Sequence, residues 1–211
     1  VRSVPLRADG TPVKRRMVAN GQIVLRVDSH GGDLTPDTTD LVAATETALR
    51  GEPVAVVACD YGLGALDDTF LAWLQRRRDT LPVLAVDAHR LQRWRELRPT
   101  LVKPNFAEMA ELLAPDHRLP DGPIRVSTVE SKAELILDRT GAHIAAVTLD
   151  IDGALVLDGP ASAVRTATVG APASHAVGAG DAYLAALTLA VANGASTRDA
   201  ATLAQRAATA S

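Results

Sequence analysis

Short runs of apolar residues recur along this chain at a spacing typical of β-strands. Continuous apolar runs are typical of strands covered on both faces, and they occur at residues 53–58, 82–87 and 144–149. Segment 22–28 instead alternates apolar and polar positions over its second half, which predicts a half-buried strand. Segments 154–157 and 164–168 flank an Asp-Gly-Pro turn and are typical of a hairpin.

Amphipathic segments separate these strands. Apolar positions at helical spacing predict helices near residues 67–78, 91–97, 106–113, 130–139 and 178–193. A last helix is capped by Ser196 or Thr197, and a short strand is predicted at 100–103. Strands that alternate with helices form a mainly parallel sheet. We therefore predict an α/β fold, a three-layer sandwich with helices on both faces of the sheet, and a single domain over residues 1–211.

Composition and charge argue against some classes of binding partner. Hydrophobic residues make up 47% of the chain and charged residues 22%, which is ordinary for a globular protein. The chain carries 22 Lys and Arg against 25 Asp and Glu, so we expect no nucleic-acid partner, which usually requires a basic excess. Apolar runs are shorter than a bilayer span, and we expect no membrane association. The single cysteine, Cys59, excludes an intrachain disulfide and favours a reducing, cytoplasmic location.

The sequence Gly178-Ala179-Gly180-Asp181 opens a predicted helix and is the sharpest candidate for chemistry. Glycines let the backbone approach a ligand closely, and the unpaired N–H groups of a helix's first turn bind anions. A phosphoryl-transfer site needs such donors for the transferred group and a carboxylate for the attacking hydroxyl. The alternative for Asp181 is a first-turn charge that only stabilises the helix. The loop-like stretch before it, residues 171–177, favours the site.

Asn105 and Glu108 form a second candidate pair at the start of the predicted helix 106–113. An N-cap residue followed three positions later by Glu is the pattern of a capping box. Taken alone, the pair is more typical of a helix cap than of a site, because caps are common. In a chain that also carries the Gly178–Asp181 motif, we interpret the pair as part of the site.

Four separated motifs resemble those of the ribokinase-like, or phosphofructokinase B, family of sugar kinases. G-A-G-D followed by a helix of small residues resembles the family signature, and K-P-N-F-A-E at 103–108 resembles its N-x-x-E motif. V-T-L-D-I-D-G at 147–153 resembles the strand and turn that approach the nucleotide phosphates. C-D-Y-G-L-G-A-L at 59–66 resembles the S-D-Y-G-K-G turn of the heptose 7-phosphate kinases of the ADP-heptose pathway, and residues 11–28 resemble the stretch before it. Motifs in this order are more specific together than any one alone.

The resemblance implies roles for the candidate residues. Asp181 is expected to be the general base, and the backbone N–H groups of residues 178–180 are expected to form the anion hole for the γ-phosphoryl group of ATP. Glu108 is expected to organise Mg²⁺ through water, with Asn105 near the phosphates and the metal. The strand and turn are expected to bind the nucleotide through Thr148 and Gly153.

The resemblance also implies a reaction. That reaction is the ATP- and Mg²⁺-dependent transfer of a phosphoryl group to a hydroxyl of a sugar or sugar phosphate, with a heptose phosphate as the expected acceptor. Members of the family often dimerise, so a homodimer is expected. Members are also longer than this chain. We therefore expect the chain to lack part of the family fold at both ends, including the glycine-rich sugar-binding motif.

The chain departs from the family pattern at several positions. His175, Ala176 and Val177 replace the D-T/V-T residues before G-A-G-D, which does not favour activation by a monovalent cation. Leu63 replaces the lysine of S-D-Y-G-K-G, and Asp150 replaces a glycine that many members have. Each change removes a cation or a close backbone approach to phosphate. A second interpretation therefore stays open, in which the chain is a non-catalytic member of the fold that binds nucleotide or a partner chain.

Two weaker signals remain. Ala88-His89 stands where the family often has Pro-Lys. The other signal is a group of basic residues near the start of the chain, Lys14, Arg15, Arg16 and Arg26. These residues either lie near a sugar phosphate, to which Arg can make bidentate contacts, or form a solvated basic turn. The sequence favours neither alternative.

A competing motif starts at Gly62. The spacing of G-L-G-A-L-D after a predicted strand, with Asp87 at the end of the next strand, resembles a dinucleotide fingerprint and indicates an NAD-dependent oxidoreductase. The sixth position, however, is Asp67, and a side chain there obstructs close helix–strand packing. We therefore interpret Asp67 as a helix N-cap and the glycines as a turn.

Overall fold

A six-stranded sheet forms the centre of the protein, which is described here from a computed structural model over residues 13–19, 22–29, 38–113, 125–167 and 178–210. The strand order is β3-β4-β5-β6-β7-β8, and a separate two-stranded ribbon pairs β1 with β2. The strands are β1 (Val13–Ala19), β2 (Gln22–Ser29), β3 (Ala55–Asp60), β4 (Val83–Ala88), β5 (Leu101–Val102), β6 (Ile144–Thr148), β7 (Ala154–Gly159) and β8 (Ser162–Thr166).

The first four strands of the large sheet are parallel. β3 pairs with β4 over their whole length, and the short β5 joins β4 to β6. β7 and β8 then add antiparallel strands that form the hairpin predicted from the sequence. Parallel strands need crossover connections, which are usually helices that cover the sheet. This requirement explains the continuous apolar runs of β4 and β6, which are covered on both faces.

Seven α-helices of the described residues cover the two faces of the sheet. They are α1 (Thr38–Leu49), α2 (Asp68–Arg76), α3 (Phe106–Leu113), α4 (Arg125–Ser131), α5 (Ala133–Thr140), α6 (Ala179–Ala192) and α7 (Thr197–Ala210). On one face, α2, α3 and α5 pack with Val86, Val147 and Leu155 of the sheet. On the other face, α6 and α7 pack on Ala85 and Ala146. The predicted three-layer α/β sandwich is therefore confirmed.

The ribbon β1–β2 stands apart from this core. Every residue of β1 is exposed, and the large apolar side chains of Met17 and Val24 are 54% and 66% exposed. The register pairs Lys14 with Asp28 and Arg16 with Arg26, and it shifts between Met17 and Val18. An isolated two-stranded ribbon is marginally stable in water, so contacts with the rest of the protein matter for its position.

The buried carboxylate of Asp60 organises the turn that follows β3. Asp60 is 5% exposed, and its Oδ1 accepts the backbone N–H of Gly62 at 3.0 Å. Its Oδ2 accepts Arg93 Nη1 at 3.0 Å and Trp94 Nε1 at 3.3 Å. Arg93 also binds the carbonyl oxygen of Leu66 across the turn at 3.1 Å. The end of β3 and residues 61–66 are therefore fixed by one buried ion pair.

Two segments differ from the sequence prediction in their winding. Leu91–Leu97 is a 3-10 helix rather than an α-helix and ends at Arg98, whose φ is 45°. This segment carries both Arg93 and Trp94, so its winding is tied to their contacts with Asp60. The predicted helix 130–139 is divided into α4 and α5, which meet at Lys132. Within the described ranges, no helix has the length and apolar content that a membrane crossing requires.

The Arg93–Asp60 pair gives a test of this arrangement. We expect Arg93→Ala to lower the free energy of unfolding by about 3 kcal/mol, because it leaves a buried carboxylate without its counter-charge. Arg95→Ala is the matched control, since Arg95 lies in the same 3-10 helix but pairs with the exposed Asp138. That pair should contribute at most about 1 kcal/mol. Urea unfolding of both variants checks the prediction, and equal losses would contradict it.

Candidate active site

The carboxyl ends of β3 to β6 meet at one edge of the sheet. We call this edge, together with the first turn of α6, the carboxyl edge. Cys59, Asp87 and Thr148 lie at or near the ends of β3, β4 and β6, and Lys103 directly follows β5. Burial raises the pKa of the Cys59 thiol, and the negative charges of Asp87 and Asp181 raise it further. The first turn of α6 lies over the ends of these strands, since a Cβ on Gly180 would be 3.7 Å from Lys103 Nζ. Ligands of open α/β sheets bind at such strand ends.

The first turn of α6 has the geometry of an open anion site. Gly178 precedes the helix with φ 93°, a left-handed conformation that side chains rarely adopt, and no atom of the described residues lies within 4 Å of where its Cβ would be. Among the described residues, no side chain forms a capping hydrogen bond at this end of the helix. Asp181, at the third helical position, is exposed. The described side chains therefore leave the first-turn backbone N–H groups to an anion, with an exposed carboxylate in the same turn.

A buried ion pair lies beneath this turn. Lys103 Nζ is 3.0 Å from Asp87 Oδ2, and the side chains are 8% and 15% exposed. A Cβ added to Gly180 would lie 3.7 Å from the same Nζ, so the ammonium group sits against the backbone of α6. Burial raises the pKa of Asp87, Lys103 opposes that rise, and the charges of Glu108 and Asp181 add to it. The pair places one cation among three acidic groups.

Asn105 and Glu108 form the capping box that the sequence offered as an alternative. Asn105 Oδ1 accepts the backbone N–H of Glu108, and Glu108 Oε2 accepts the backbone N–H of Asn105, both at 2.9 Å. Glu108 Oε1 also lies 2.9 Å from His89 Nδ1. The Glu108 side chain is 15% exposed and faces the carboxyl edge through His89, which follows β4. Glu108 therefore caps α3 and also lies at the carboxyl edge.

Glu108 fits a magnesium ion that is held mainly by water and phosphate. No group of three His, Cys, Asp or Glu side chains in the described ranges is arranged to hold a metal by itself. Mg²⁺ retains several waters and is commonly bound by one or two carboxylates together with substrate phosphates. Glu108 and the nearby Asp87 supply carboxylates of this kind. The donor set is therefore suited to a metal that arrives with a nucleotide.

Thr148 and Gly153 have clear structural roles. Thr148 donates its backbone N–H to the carbonyl oxygen of Pro104 at 3.0 Å and bridges to Asn105, which joins the ends of β5 and β6. Gly153 has φ 85°, and a Cβ there would lie 2.0 Å from the carbonyl oxygen of Thr166. Glycine is therefore required at 153 by the approach of β8. The structure explains this residue without a ligand.

The departures from the family pattern have different structural contexts. Asp150 has φ 54°, a conformation that suits the glycine found at this position in many members. Its carboxylate lies 3.2 Å from Arg125 Nη1, so its charge is partly balanced. Leu63 is half-buried in the turn after β3. His175, Ala176 and Val177 lie outside the described residues.

The competing dinucleotide motif lacks a free helix end. Asp67 Oδ1 accepts the backbone N–H of Phe70 at 2.7 Å, and Thr38 donates to Asp67 Oδ2 at 2.6 Å. The predicted N-cap is therefore confirmed, and it occupies a first-turn donor that a pyrophosphate requires. These two hydrogen bonds hold the pKa of Asp67 below its usual value.

A cavity of about 520 Å³ opens between β8 and α7. Its lining includes Arg165, Thr166, Gln205, Arg206 and Thr209. Thr166 donates from its hydroxyl to Gln205 Oε1 at 2.9 Å, which joins the end of β8 to α7. β7 runs antiparallel to β6, and β8 runs antiparallel to β7. β8 therefore runs in the same direction as β6 and ends at the carboxyl edge. The volume suits a ligand of drug or nucleotide size.

Sequence reasoning missed several residues of the carboxyl edge. It named Lys103 and Asp87 only within motifs and did not predict their ion pair. The cavity between β8 and α7 and the pairing of His89 with Glu108 were also missed. These contacts join residues on different strands and helices. The only signal in the sequence was that these residues follow predicted strands.

The Lys103–Asp87 pair predicts a pH-dependent stability. A carboxyl group whose folded-state pKa is raised stabilises the fold at low pH, and this contribution is lost as pH rises through the folded pKa. Lys103→Met removes the counter-charge and should raise the pKa of Asp87 further. We expect a loss of about 3–5 kcal/mol near neutral pH, which shrinks as pH falls towards about 4. Unfolding measured across this range checks the trend. The double variant Lys103→Met, Asp87→Asn should abolish this dependence of the loss on pH. A loss in Lys103→Met that is equal at every pH would contradict the role of the ion pair.

Known proteins share both the sequence and the fold of this chain. The bifunctional protein HldE of Rhodospirillum rubrum is 30% identical over 188 residues, which cover 88% of this chain and 36% of that protein. HldE of Nitrosococcus oceani is 26% identical over 198 residues, which cover 94% of this chain and 40% of that protein. The chain thus spans about two fifths of the length of these curated relatives. Phosphofructokinase-2 of Escherichia coli, solved with substrates and products, has a TM-score of 0.72 at 20% identity and covers 94% of this chain and 63% of its own.

The family profile described as pfkB family carbohydrate kinase matches residues 69–211. This range includes β4 to β8, α3 to α7 and the residues of the carboxyl edge that follow β3. The family resemblance carried by the G-A-G-D and N-x-x-E motifs is therefore confirmed. The chain belongs to the pfkB family of carbohydrate kinases.

Proposed function

We propose that this protein transfers the γ-phosphoryl group of ATP to a hydroxyl of a sugar or sugar phosphate, with Mg²⁺. The observation that carries the proposal is the first turn of α6, which no described side chain caps and in which Asp181 is exposed. Phosphoryl transfer depends mainly on positioning and on stabilising negative charge. This turn offers donors for the transferred group and a carboxylate for the attacking hydroxyl.

The nucleotide is proposed to lie along the carboxyl edge from β8 towards α6. The cavity between β8 and α7 takes the base and ribose, and the phosphates reach the N–H groups of Gly178, Ala179 and Gly180. Asn105 and Thr148 line the path between them, since they bridge the ends of β5 and β6. Gly153 is proposed to act indirectly, by letting β8 approach the turn after β6.

Asp181 is proposed to accept the proton of the attacking hydroxyl. Its side chain is exposed and open to an incoming hydroxyl, and a positioned carboxylate of this kind can accept the hydroxyl proton in the transition state. Lys103 places a positive charge under the same turn and reduces the repulsion between the carboxylates and the incoming phosphates. The helix N-terminus adds its own partial positive charge.

Glu108 is proposed to hold Mg²⁺ through water, with His89 and the capping box fixing the carboxylate. When bound, the metal neutralises the negative charge that develops on the phosphate oxygens. The hydrogen bonds of Glu108 to Asn105 and His89 leave lone pairs on both carboxylate oxygens for metal-bound water. The side chain is therefore already oriented before the nucleotide arrives.

The acceptor is proposed to be a heptose phosphate. The turn at 59–66, similar to S-D-Y-G-K-G, and the similarity to HldE support this choice. We further propose a single domain in the cytoplasm and a homodimer. The dimer is supported by the apolar side chains that the ribbon exposes, including Val13, Met17, Leu25 and Val27.

A non-catalytic member of the family is the second candidate. The observation that favours it is Asp150, which places a carboxylate where many members have glycine, beside the proposed phosphate path. Its pairing with Arg125 limits this repulsion. MgATP-dependent phosphorylation of any sugar or sugar phosphate by the purified protein distinguishes the two candidates.

Asp181→Asn tests the general base. We expect kcat to fall by about 10²- to 10⁴-fold, because asparagine cannot accept the hydroxyl proton, while ATP affinity is kept or slightly raised. Asp199→Asn is a matched control, since Asp199 is the third residue of α7, as Asp181 is of α6, and both helices are 14 residues long. Steady-state rates and separate ATP-binding measurements check both. A variant at 181 that retains more than about a tenth of the wild-type kcat would rule out the role.

Two substitutions at Glu108 separate metal binding from capping. Glu108→Gln keeps an acceptor for the capping box, so stability should change by less than about 0.5 kcal/mol while the Mg²⁺ requirement rises. Glu108→Ala also removes the box and should cost about 1 kcal/mol in addition. Thermal melts alongside Mg²⁺ titrations of the rate check this. An unchanged Mg²⁺ requirement in Glu108→Gln would leave only the structural role.

A further inference from the structure

His89 uses one of its two ring nitrogens in a contact with Glu108. It directly follows β4, at a position where the family often has lysine. Its Nδ1 lies 2.9 Å from Glu108 Oε1. An ionised carboxylate only accepts hydrogen bonds, so Nδ1 is the nitrogen that carries the proton. In the neutral ring the other nitrogen, Nε2, then keeps its lone pair. The contact with Glu108 therefore decides which nitrogen of His89 is able to bind a cation.

The Nε2 atom of His89 is open to a ligand. The two nitrogens of an imidazole are directed to different sides of the ring, so Nε2 points away from Glu108. The His89 side chain is 55% exposed, and within the described ranges no group forms a hydrogen bond with Nε2. The Tyr61 ring packs against the imidazole in an edge geometry, with 6.1 Å between the ring centres. The ring is thus held on two sides while Nε2 stays accessible.

The pairing of His89 with Glu108 is the arrangement that supports metal-binding histidines. A histidine that binds a metal through one nitrogen nearly always donates the N–H of the other to a carboxylate, a carbonyl oxygen or water. This partner fixes the ring orientation and makes the metal-binding nitrogen more basic. Glu108 is itself held in place, because its Oε2 accepts the backbone N–H of Asn105 at 2.9 Å. His89 therefore has the outer support of a metal ligand before any metal binds.

The charges around His89 also favour a cation at Nε2. The charges of Glu108 and Asp181 both raise the pKa of Asp87, so three carboxyl groups lie close enough to interact at this edge. Lys103 is paired with Asp87 at 3.0 Å and balances one of them. A phosphate group without a metal is repelled by the remaining negative charge. A divalent ion that carries phosphate is therefore a better ligand for Nε2 than phosphate alone.

We propose that Nε2 of His89 coordinates the divalent ion that accompanies the nucleotide, so that the protein binds a nucleotide more tightly with Ni²⁺ than with Mg²⁺. The inference rests on the proposed kinase function for the presence of a metal–nucleotide complex. Mg²⁺ prefers oxygen ligands and keeps several waters, whereas Ni²⁺ readily accepts imidazole nitrogen. Glu108 then acts on the ion in two ways, through water and through the ring of His89.

Pulsed electron paramagnetic resonance of Mn²⁺ tests the contact directly and without turnover. The untagged full chain is loaded with Mn²⁺ and β,γ-methylene ATP, and protein nitrogen is either at natural abundance or replaced by the heavy isotope. We expect the echo modulation of a directly bound nitrogen, which changes when the protein is labelled. His89→Asn keeps an N–H donor for Glu108 but has no atom in place of Nε2, so the modulation should disappear. His143→Asn is the matched control, because His143 is exposed and precedes β6 at the opposite end of the strands.

Calorimetry with saturating metal measures the effect on affinity. Even the outer partner of a metal ligand contributes about 10- to 100-fold to metal affinity, so wild type should bind the ATP analogue at least about tenfold more tightly with Ni²⁺ than with Mg²⁺. In His89→Asn this preference should fall below about threefold, while affinity with Mg²⁺ stays near that of wild type, because water replaces the lost nitrogen on Mg²⁺. His143→Asn should behave as wild type with both metals.

Three results would overturn the metal contact. They are a wild type without a protein nitrogen signal, a signal that persists in His89→Asn, and an equal loss of affinity with both metals in that variant. The last result would identify a direct contact between His89 and the phosphates instead. MgATP-dependent phosphorylation decides the kinase function separately. A His89-dependent signal in a protein without turnover would keep the metal site and reject the kinase function, and turnover without the signal would do the reverse.

Discussion

The parallel pairing of β3 to β6 is the constraint on which the rest of this structure depends. Strands that run in one direction bring their carboxyl ends to one edge and require helical crossovers that cover both faces. Residues far apart in sequence, such as Cys59, Asp87 and Lys103, become neighbours for this reason. The same arrangement leaves the first turn of α6 over the strand ends, beside Lys103.

The carboxyl edge combines negative and positive charges, and phosphoryl transfer requires both. A base for the hydroxyl and carboxylates for a metal make the edge acidic, whereas the phosphates of a nucleotide need positive charge. The buried Lys103–Asp87 pair gives part of that charge without exposing a free cation. The N-terminus of α6 gives another part. Lys14 of the ribbon adds a further positive charge beside Tyr61, at the end of β3.

Several residues of the edge have a structural role that is complete before any ligand binds. Asn105 and Glu108 cap α3 with two mutual hydrogen bonds, and Gly153 gives room to the carbonyl of Thr166. A structural reason for a residue does not exclude a functional one. Rigid capping fixes the direction of the Glu108 carboxylate, and a fixed carboxylate loses less freedom when it binds a metal. The alternatives that the sequence left open for this pair are therefore compatible.

The sequence by itself determined the fold class, most element positions and the family. The helix at 106–113 has its predicted bounds, and β6 ends one residue before the predicted end at 149, because apolar periodicity is a local property. Local motifs were sufficient to locate Asp181, Asn105 and Glu108 as candidates. Tertiary structure decided the 3-10 winding of Leu91–Leu97, the Lys103–Asp87 and His89–Glu108 pairs, and the face that the ribbon turns to the edge. Each of these depends on contacts between elements distant in sequence, and no local pattern encodes the partner of a buried charge.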